Sequence, residues 1–407
     1  MDSGMADRSS PLATGDVNTA AWALTSLLAE AAQRGASDLL LVAGAPPTIY
    51  TFGQWLPLND HRLAAEEIPT IIEPVLTKGQ RTKLLDHRDL DFGLSLPASE
   101  PDGLQSPGAL TRYRVNVHYQ RGTLAAAFRA IPAKVPPFER LGLPAEVRRF
   151  ADFPNGLVLV TGCTGQGKST TLAAIVDHMN RTRSAHIITI EDPIEFTFEH
   201  GTCLIEQRQI GEDSPSFASA LRHVLRQRPN VILIGEMRDL ETVATALTAA
   251  ETGHLVLASL HTASAAQTLA RVVDVFPPVQ QTQVRTQLAA SLRAILCQTL
   301  VRDQANETLT PATEILMATS AVRRAIRENE THLIYGMIET GRSQGMHTLE
   351  QSLTILVKAG RVQPAEAFAA AVDPTRLARL TGRTENIAGS QCSDSMAGDP
   401  DGLFAVS

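Results

Sequence analysis

The run Gly162-Cys163-Thr164-Gly165-Gln166-Gly167-Lys168-Ser169 has the spacing G-x-x-x-x-G-K-[ST]. Glycines so placed let several backbone N–H groups turn toward one anion, and a helix starting there adds the favourable end of its dipole. Lys168 then supplies the counter-charge for the β- and γ-phosphates of a nucleoside triphosphate, and the Ser169 hydroxyl supplies a ligand for Mg²⁺. Thr164, Gly165, Gln166 and Thr170 share the same turn and helix start, within the phosphate-binding set. Cys163 fills an unconstrained position and has no chemistry assigned to it.

Three further clusters carry chemistry. Val231-Ile232-Leu233-Ile234-Gly235-Glu236 is an apolar strand ending in an acid. A carboxylate there stands at the carboxyl end of a strand, where ligands collect in open α/β sheets. Glu236 is the expected catalytic group, orienting or deprotonating an attacking water. Ile190-Glu191-Asp192-Pro193-Ile194-Glu195 packs three acids into five positions, a repulsion that a nearby cation would offset. His254 and His261 bracket the apolar run Leu255–Leu260. Seven residues apart, they lie at opposite ends of a strand, which leaves His261 on the same edge as Glu236 and able to sense a γ-phosphate.

Arginines supply the remaining charge. Arg112, Arg114, Arg121 and Arg129 crowd one hairpin, where one or two can act as arginine fingers on nucleotide phosphates. Arg222, Arg226 and Arg228 fit a subunit contact better.

These residues need a scaffold. Leu157–Thr161, His186–Ile190, Val231–Ile234 and Leu255–Leu260 read as strands separated by helical patterns, which predicts a parallel sheet covered on both faces. Residues 282–372 read as mostly helical. Upstream, a helix over 19–34, a strand at 39–42, a helical stretch over 65–76 and a hairpin of 112–120 with 124–131 make a smaller α+β domain. Pro132-Ala133-Lys134-Val135-Pro136-Pro137 is a stiff linker, because proline fixes φ. The predicted domains are a tail at 1–17, an N-terminal domain at 18–132, a linker at 133–140, an ATPase-like domain at 141–372 and a tail from 373 to 407.

Composition narrows the class. The chain has 407 residues, 43% hydrophobic and 19% charged, within the globular range and long enough for two or three domains. A net charge of −7 and 4% aromatics argue against nucleic acid as the partner. The four cysteines form no C-x-x-C pair, which argues against a zinc ribbon or disulfide framework. The first residues lack the build of a signal peptide, and no run of about 18 apolar residues suggests a membrane span. A cytoplasmic location with peripheral membrane contact is expected.

Together, GCTGQGKSTT, IEDPIE, VILIGEMRD, LETVATALTAAETGHLVLASLHT and RVVDVFP resemble the secretion ATPase superfamily. AVRRAI (321–326) and GMHTLEQSL (345–353) resemble signatures of its type IV pilus retraction branch, the PilT/PilU type. The resemblance spans residues 20 to 373. It implies an α/β fold, a RecA-like P-loop ATPase domain with a smaller PAS-like N-terminal domain. It also implies a homohexamer that hydrolyses ATP with Mg²⁺ at the cytoplasmic face of the inner membrane. The implied partners are a membrane platform protein of the pilus and a paralogous motor ATPase. Lys168 and Ser169 match the family's nucleotide and Mg²⁺ contacts, Glu195 its acidic-box glutamate with Mg²⁺ reached directly or through water, and Glu236 its catalytic glutamate. His254 and His261 match the ends of its His box, and Arg112, Arg114 and Arg129 its N-terminal-domain arginines. Cys163 and Gln166 stand where proline and serine are usual, and AVRRAI only partly matches the usual AIRNLI. A related secretion or conjugation ATPase and an accessory paralogue with little turnover remain the alternatives.

Overall fold

The computed structural model describes residues 16–51, 54–99, 105–131, 135–304 and 308–382. Residues 1–15 of the tail expected at 1–17, linker residues 132–134 and the residues from 383 onward lie outside these. The chain divides into two compact units. The first takes the chain up to Pro136 together with Met179–Pro229 and Leu233–Gly235; the second takes Pro137–His178, Asn230–Ile232 and the chain from Glu236 onward.

The first unit contains a six-stranded sheet. Its strands are β1 (Asp38–Val42), β2 (Thr48–Thr51), β3 (Gln54–Pro57), β4 (Asp89–Ser99), β5 (Gln105–Gln120) and β6 (Thr123–Ile131), in the order β3-β2-β1-β6-β5-β4. The pairings are antiparallel. The predicted hairpin is present: Gln120 pairs with Thr123 and Arg114 with Arg129, across Arg121 and Gly122, both at positive φ. Alternation drives the packing. Tyr113, Val115 and Val117 point into a core with Leu24, Leu39, Leu41, Ile68, Ile72 and Phe128. The residues between them, Arg112, Arg114 and Asn116, fall on the other face. Helices Asp16–Gln33, Glu67–Ile72 and Lys78–His87 complete this α+β body.

The second sheet has seven strands. They are β7 (Gly156–Thr161), β8 (His186–Glu191), β9 (Leu204–Gln209), β10 (Val231–Ile234), β11 (Leu255–Leu260), β12 (Leu292–Asp303) and β13 (Thr308–Met317), in the order β13-β12-β7-β11-β10-β8-β9. β7 runs parallel to β11 and to β12, and β8 parallel to β9. All residues of β7, β10 and β11 are buried, the pattern of strands covered on both faces. The fold is thus the expected mixed α/β architecture, with a parallel sheet in the larger domain and a smaller N-terminal α+β domain.

Three expectations need correction. Residues 292–317 form the long hairpin β12–β13 where helix was expected. A run such as Ala294–Cys297, apolar on both faces, has no periodicity to separate a buried strand from a buried helix. β9 was not expected, since LIEQRQ offers few apolar residues. At Asp373 the chain starts another helix, Pro374–Thr381, instead of a tail. The Asp373 carboxylate accepts from Arg376 N at 3.0 Å, Pro374 occupies the first turn, and Leu377 is fully buried against Leu353 and Val301. Among the described residues, no helix is long and apolar enough to cross a membrane.

Candidate active site

β7 ends at Thr161 and the helix Lys168–Thr182 begins seven residues later, so the motif Gly162–Ser169 occupies the turn between them. Lys168 is only 8% exposed. Its Nζ donates to the carbonyls of Gly162 at 2.8 Å and Cys163 at 2.9 Å, and lies 3.4 Å from His261 Nδ1. Two motif glycines are required by a neighbour as well as by conformation. A Cβ on Gly162 would sit 2.4 Å from the Gln298 carbonyl, and one on Gly167 2.9 Å from Gln298 Nε2; both glycines have positive φ.

Gln298, on β12, was absent from the sequence reading. It is 4% exposed and braces the loop at two points. Its Oε1 accepts from Thr171 Oγ1 at 2.8 Å, and its Nε2 donates to the Gln166 carbonyl at 2.7 Å. The Gln166 side chain in turn accepts a hydrogen bond from Leu300 N. The residue standing where serine is usual therefore ties the loop to β12. No spacing signal links position 166 to position 298, because the contact depends on β12 being a strand.

Glu236 follows β10, and His261 follows β11. Their side chains meet, with His261 Nε2 3.1 Å from Glu236 Oε1 and Arg238 Nε 2.6 Å from the same oxygen. Burial alone would raise the Glu236 carboxyl. The Arg238 hydrogen bond and the charges of His261 and Arg238 outweigh it, leaving the carboxyl below its ordinary value. Lys168, His261 and Glu236 thus form one line of contacts across the carboxyl ends of β7, β11 and β10.

Gly235 lets the end of β10 approach the acidic box closely. Its N–H donates to the Ile190 carbonyl at 2.8 Å, and a Cβ there would come within 3.3 Å of Glu191 Cα. The acidic box itself separates into parts. Glu191 folds inward, accepting from Thr189 Oγ1 at 2.6 Å, Gln207 Nε2 at 3.3 Å and Glu195 N at 3.4 Å, and burial raises its carboxyl above the ordinary value. Glu195 holds Glu191 through its backbone N–H, and its carboxylate adds a like charge that raises Glu191 further.

His254 sits at the opposite end of β11, about 20 Å from His261 by strand geometry. Its Nδ1 lies 3.0 Å from the Ala249 carbonyl, at the end of helix Leu240–Glu251, so the ring closes that helix. Within the chain it is not brought to the phosphate loop. The arginines differ among themselves. Arg129 Nε donates to Asp38 Oδ1 at 2.8 Å while the side chain stays 68% exposed. Arg114 is exposed on the same sheet face. Arg112 is half-buried: a Cβ on Gly93 would lie 3.2 Å from its guanidinium and 3.3 Å from the Gln209 carboxamide oxygen. That same oxygen accepts from Ile194 N in the acidic box at 3.2 Å. Arg222, Arg226 and Arg228 are exposed.

Mg²⁺ carried by a nucleotide keeps most of its waters and takes only one or two protein oxygens. The Ser169 hydroxyl, on the first turn of its helix and partly exposed, fits that demand.

Comparison with known proteins identifies the family. Residues 141–372 match the family model described as type II/IV secretion system protein. The chain is 44% identical over 339 residues to the type IV pilus retractation ATPase PilT of Pseudomonas aeruginosa, covering 83% of this chain and 95% of that one. It is 41% identical over 347 residues to a twitching motility protein of Neisseria gonorrhoeae, covering 85% and 90%. A crystal structure of the pilus retraction motor PilT with bound ADP superposes with a TM-score of 0.78 at 43% identity, covering 87% of this chain and 98% of that one. The chain belongs to the type II/IV secretion protein family and is a P-loop ATPase. Within that family it is of the PilT type.

Proposed function

We propose that this chain is the motor of type IV pilus retraction, a homohexamer that hydrolyses Mg²⁺–ATP at the cytoplasmic face of the inner membrane. The observation that carries the hydrolytic reading is the line Lys168–His261–Glu236, with the Glu236 carboxyl held ionised at 2.6 Å from Arg238. Similarity to PilT supplies the work to which hydrolysis is coupled.

The residues divide the labour. The loop amides and Lys168 bind the β- and γ-phosphates and balance charge as the terminal phosphoryl group departs. Mg²⁺ would be held by the Ser169 hydroxyl with Glu195, directly or through water, and would supply charge to balance the phosphates. Glu236, already ionised, orients the attacking water and accepts its proton. His261 joins Glu236 to Lys168 and so senses whether the γ-phosphate is present. Arg114 and Arg112 reach the nucleotide of a neighbouring subunit, so closing one pair of subunits completes one site. Successive closure round the ring moves a platform protein in the membrane, beside a paralogous motor.

The test is a retraction-deficient strain complemented with wild type or Glu236→Gln. Wild type restores twitching, and the variant leaves pili extended although it is expressed and assembled. Twitching restored equally by both would remove Glu236 from the mechanism.

A further inference from the structure

A buried carboxylate on β13 holds the segment that follows His261. After β11 the chain turns through Thr262, Ala263 and Ser264 into the helix Ala265–Asp274. The turn is tied within itself: Ser264 Oγ accepts from Gln267 N at 3.3 Å, Ala263 N donates to Gln267 Oε1 at 3.3 Å, and the Thr262 and Thr268 hydroxyls lie 2.7 Å apart. A further bond ties it to the sheet, where Ala265 N donates to Glu314 Oε1 at 2.7 Å.

Glu314 lies on β13 and is 4% exposed. In register it stands opposite Cys297 of β12, and Cys297 stands opposite Thr161 of β7, the residue before Gly162. Paired residues share a face, so this row runs from the root of the phosphate loop to the carboxylate that grips the helix behind His261. Burying a carboxylate in a core is costly, and a neutral side chain of the same shape would be cheaper for stability alone.

We infer that Glu314 is a positioning residue for hydrolysis: its carboxylate fixes the N-terminus of helix Ala265–Asp274 and thereby sets His261 against Glu236 and Lys168. This rests on the hydrolytic reading of Glu236 and His261.

The surroundings make the grip sensitive to protons. Cys297 hydrogen-bonds Glu314 from β12, and Thr268 of the gripped helix hydrogen-bonds Cys297. Glu350 of helix Leu349–Lys358 adds like charge; its own oxygens hold Tyr335 Oη at 2.8 Å and Asp373 N at 2.9 Å. His347 flanks β13, 2.8 Å from Thr313 Oγ1. Burial raises the Glu314 carboxyl to about 7, the Ala265 N–H opposes the rise, and Glu350 adds to it. Ionised, the carboxylate makes a charge-assisted bond at the positive end of a helix; protonated, it makes a weaker one.

Stability and activity then move in opposite directions. Because the folded value lies above the ordinary 4.5, the stability owed to this group is full below about pH 4.5 and is lost as pH rises through about 7. The grip on the helix strengthens over the same rise. A purely structural anchor would lose activity where it loses stability.

The test is steady-state ATP hydrolysis by the full chain between pH 6 and 8.5, comparing wild type, Glu314→Gln, Ala265→Pro, the double variant and Glu236→Gln. Proline suits the first helical position and removes only the donor. Wild-type kcat should rise about tenfold with a midpoint near pH 7, in line with the loss of one charge-assisted bond. Glu314→Gln should be flat and about tenfold slower at pH 8.5, with KM within about twofold and a thermal midpoint at or above wild type. Ala265→Pro should match it at pH 8.5, and the double variant should be no slower than either. Wild-type kcat and pH profile in Glu314→Gln, with Glu236→Gln inactive, overturn the inference and leave the hydrolytic reading standing. A slow Glu314→Gln whose thermal midpoint also falls overturns it in favour of simple unfolding. An active Glu236→Gln removes the hydrolytic reading and the inference with it.

Discussion

The phosphate loop and the arginine face of the first sheet hold their charges in opposite ways. Lys168 is buried, hydrogen-bonded to two loop carbonyls and in line with His261 and Glu236. The loop beneath it is braced by Gln298 from a neighbouring strand. Arg114 stands exposed, and Arg129 is largely exposed with one contact to Asp38. A charge fixed in a water-poor site acts at nearly full strength with no reorganisation. An exposed one is screened and worth little until something covers it. One region is finished within a single chain. The proposed cycle accordingly assigns the loop to binding and the exposed arginines to closure by a neighbouring subunit.

The largest effect tests the finished region. Lys168→Ala should lower phosphate release about a thousandfold, as loss of a preorganised cation does. A drop of less than tenfold would mean the loop's amides suffice and the contrast is overdrawn. Next comes Arg114→Ala, expected to lower kcat on the order of a hundredfold in the assembled ring while leaving the thermal midpoint within about 1 °C. Arg129→Ala, already partnered by Asp38, should cost less; equal losses would erase the distinction between them.

Gln298→Leu sharpens the comparison from the other side. It leaves Thr171 Oγ1 and the Gln166 carbonyl without their partner, and should weaken nucleotide binding about tenfold with kcat within about threefold, read by titration with a fluorescent nucleotide. The smallest effect is in pH. The folded Glu236 carboxyl lies below 4.5, so its stabilisation is present above that value and lost only as pH falls through the lower folded one. Glu236 should therefore add no acid limb to kcat/KM between pH 5 and 8. Arg238→Ala should move its limb upward, toward pH 5; an unmoved profile would leave the arginine without a part in holding the carboxyl ionised.

What could be read in advance follows the same division. The phosphate loop, Glu236 and His261 were legible because each sits at the end of a short apolar strand, where local pattern fixes both the element and the direction its end faces. Glu314 and Gln298 were not, since their roles depend on β12 and β13 pairing beside β7, and Ala294–Cys297 carries no periodicity that separates strand from helix. The inward fold of Glu191 was not legible either, because it depends on Thr189 and on Gln207 of β9, which hydrogen-bond its carboxylate. The helix at Pro374–Thr381 escaped notice because Asp-Pro reads equally well as a break and as a capped start.

The central claim is that a half-site complete in one chain becomes a catalytic site only when a neighbour covers it. The most direct measurement is Mg²⁺-dependent ATP hydrolysis across a size-exclusion profile, with wild type beside Glu236→Gln. The account predicts turnover confined to a peak of about six subunits, as closed rings require, and lost there in the variant. Equal turnover per chain in a monomer peak would contradict it.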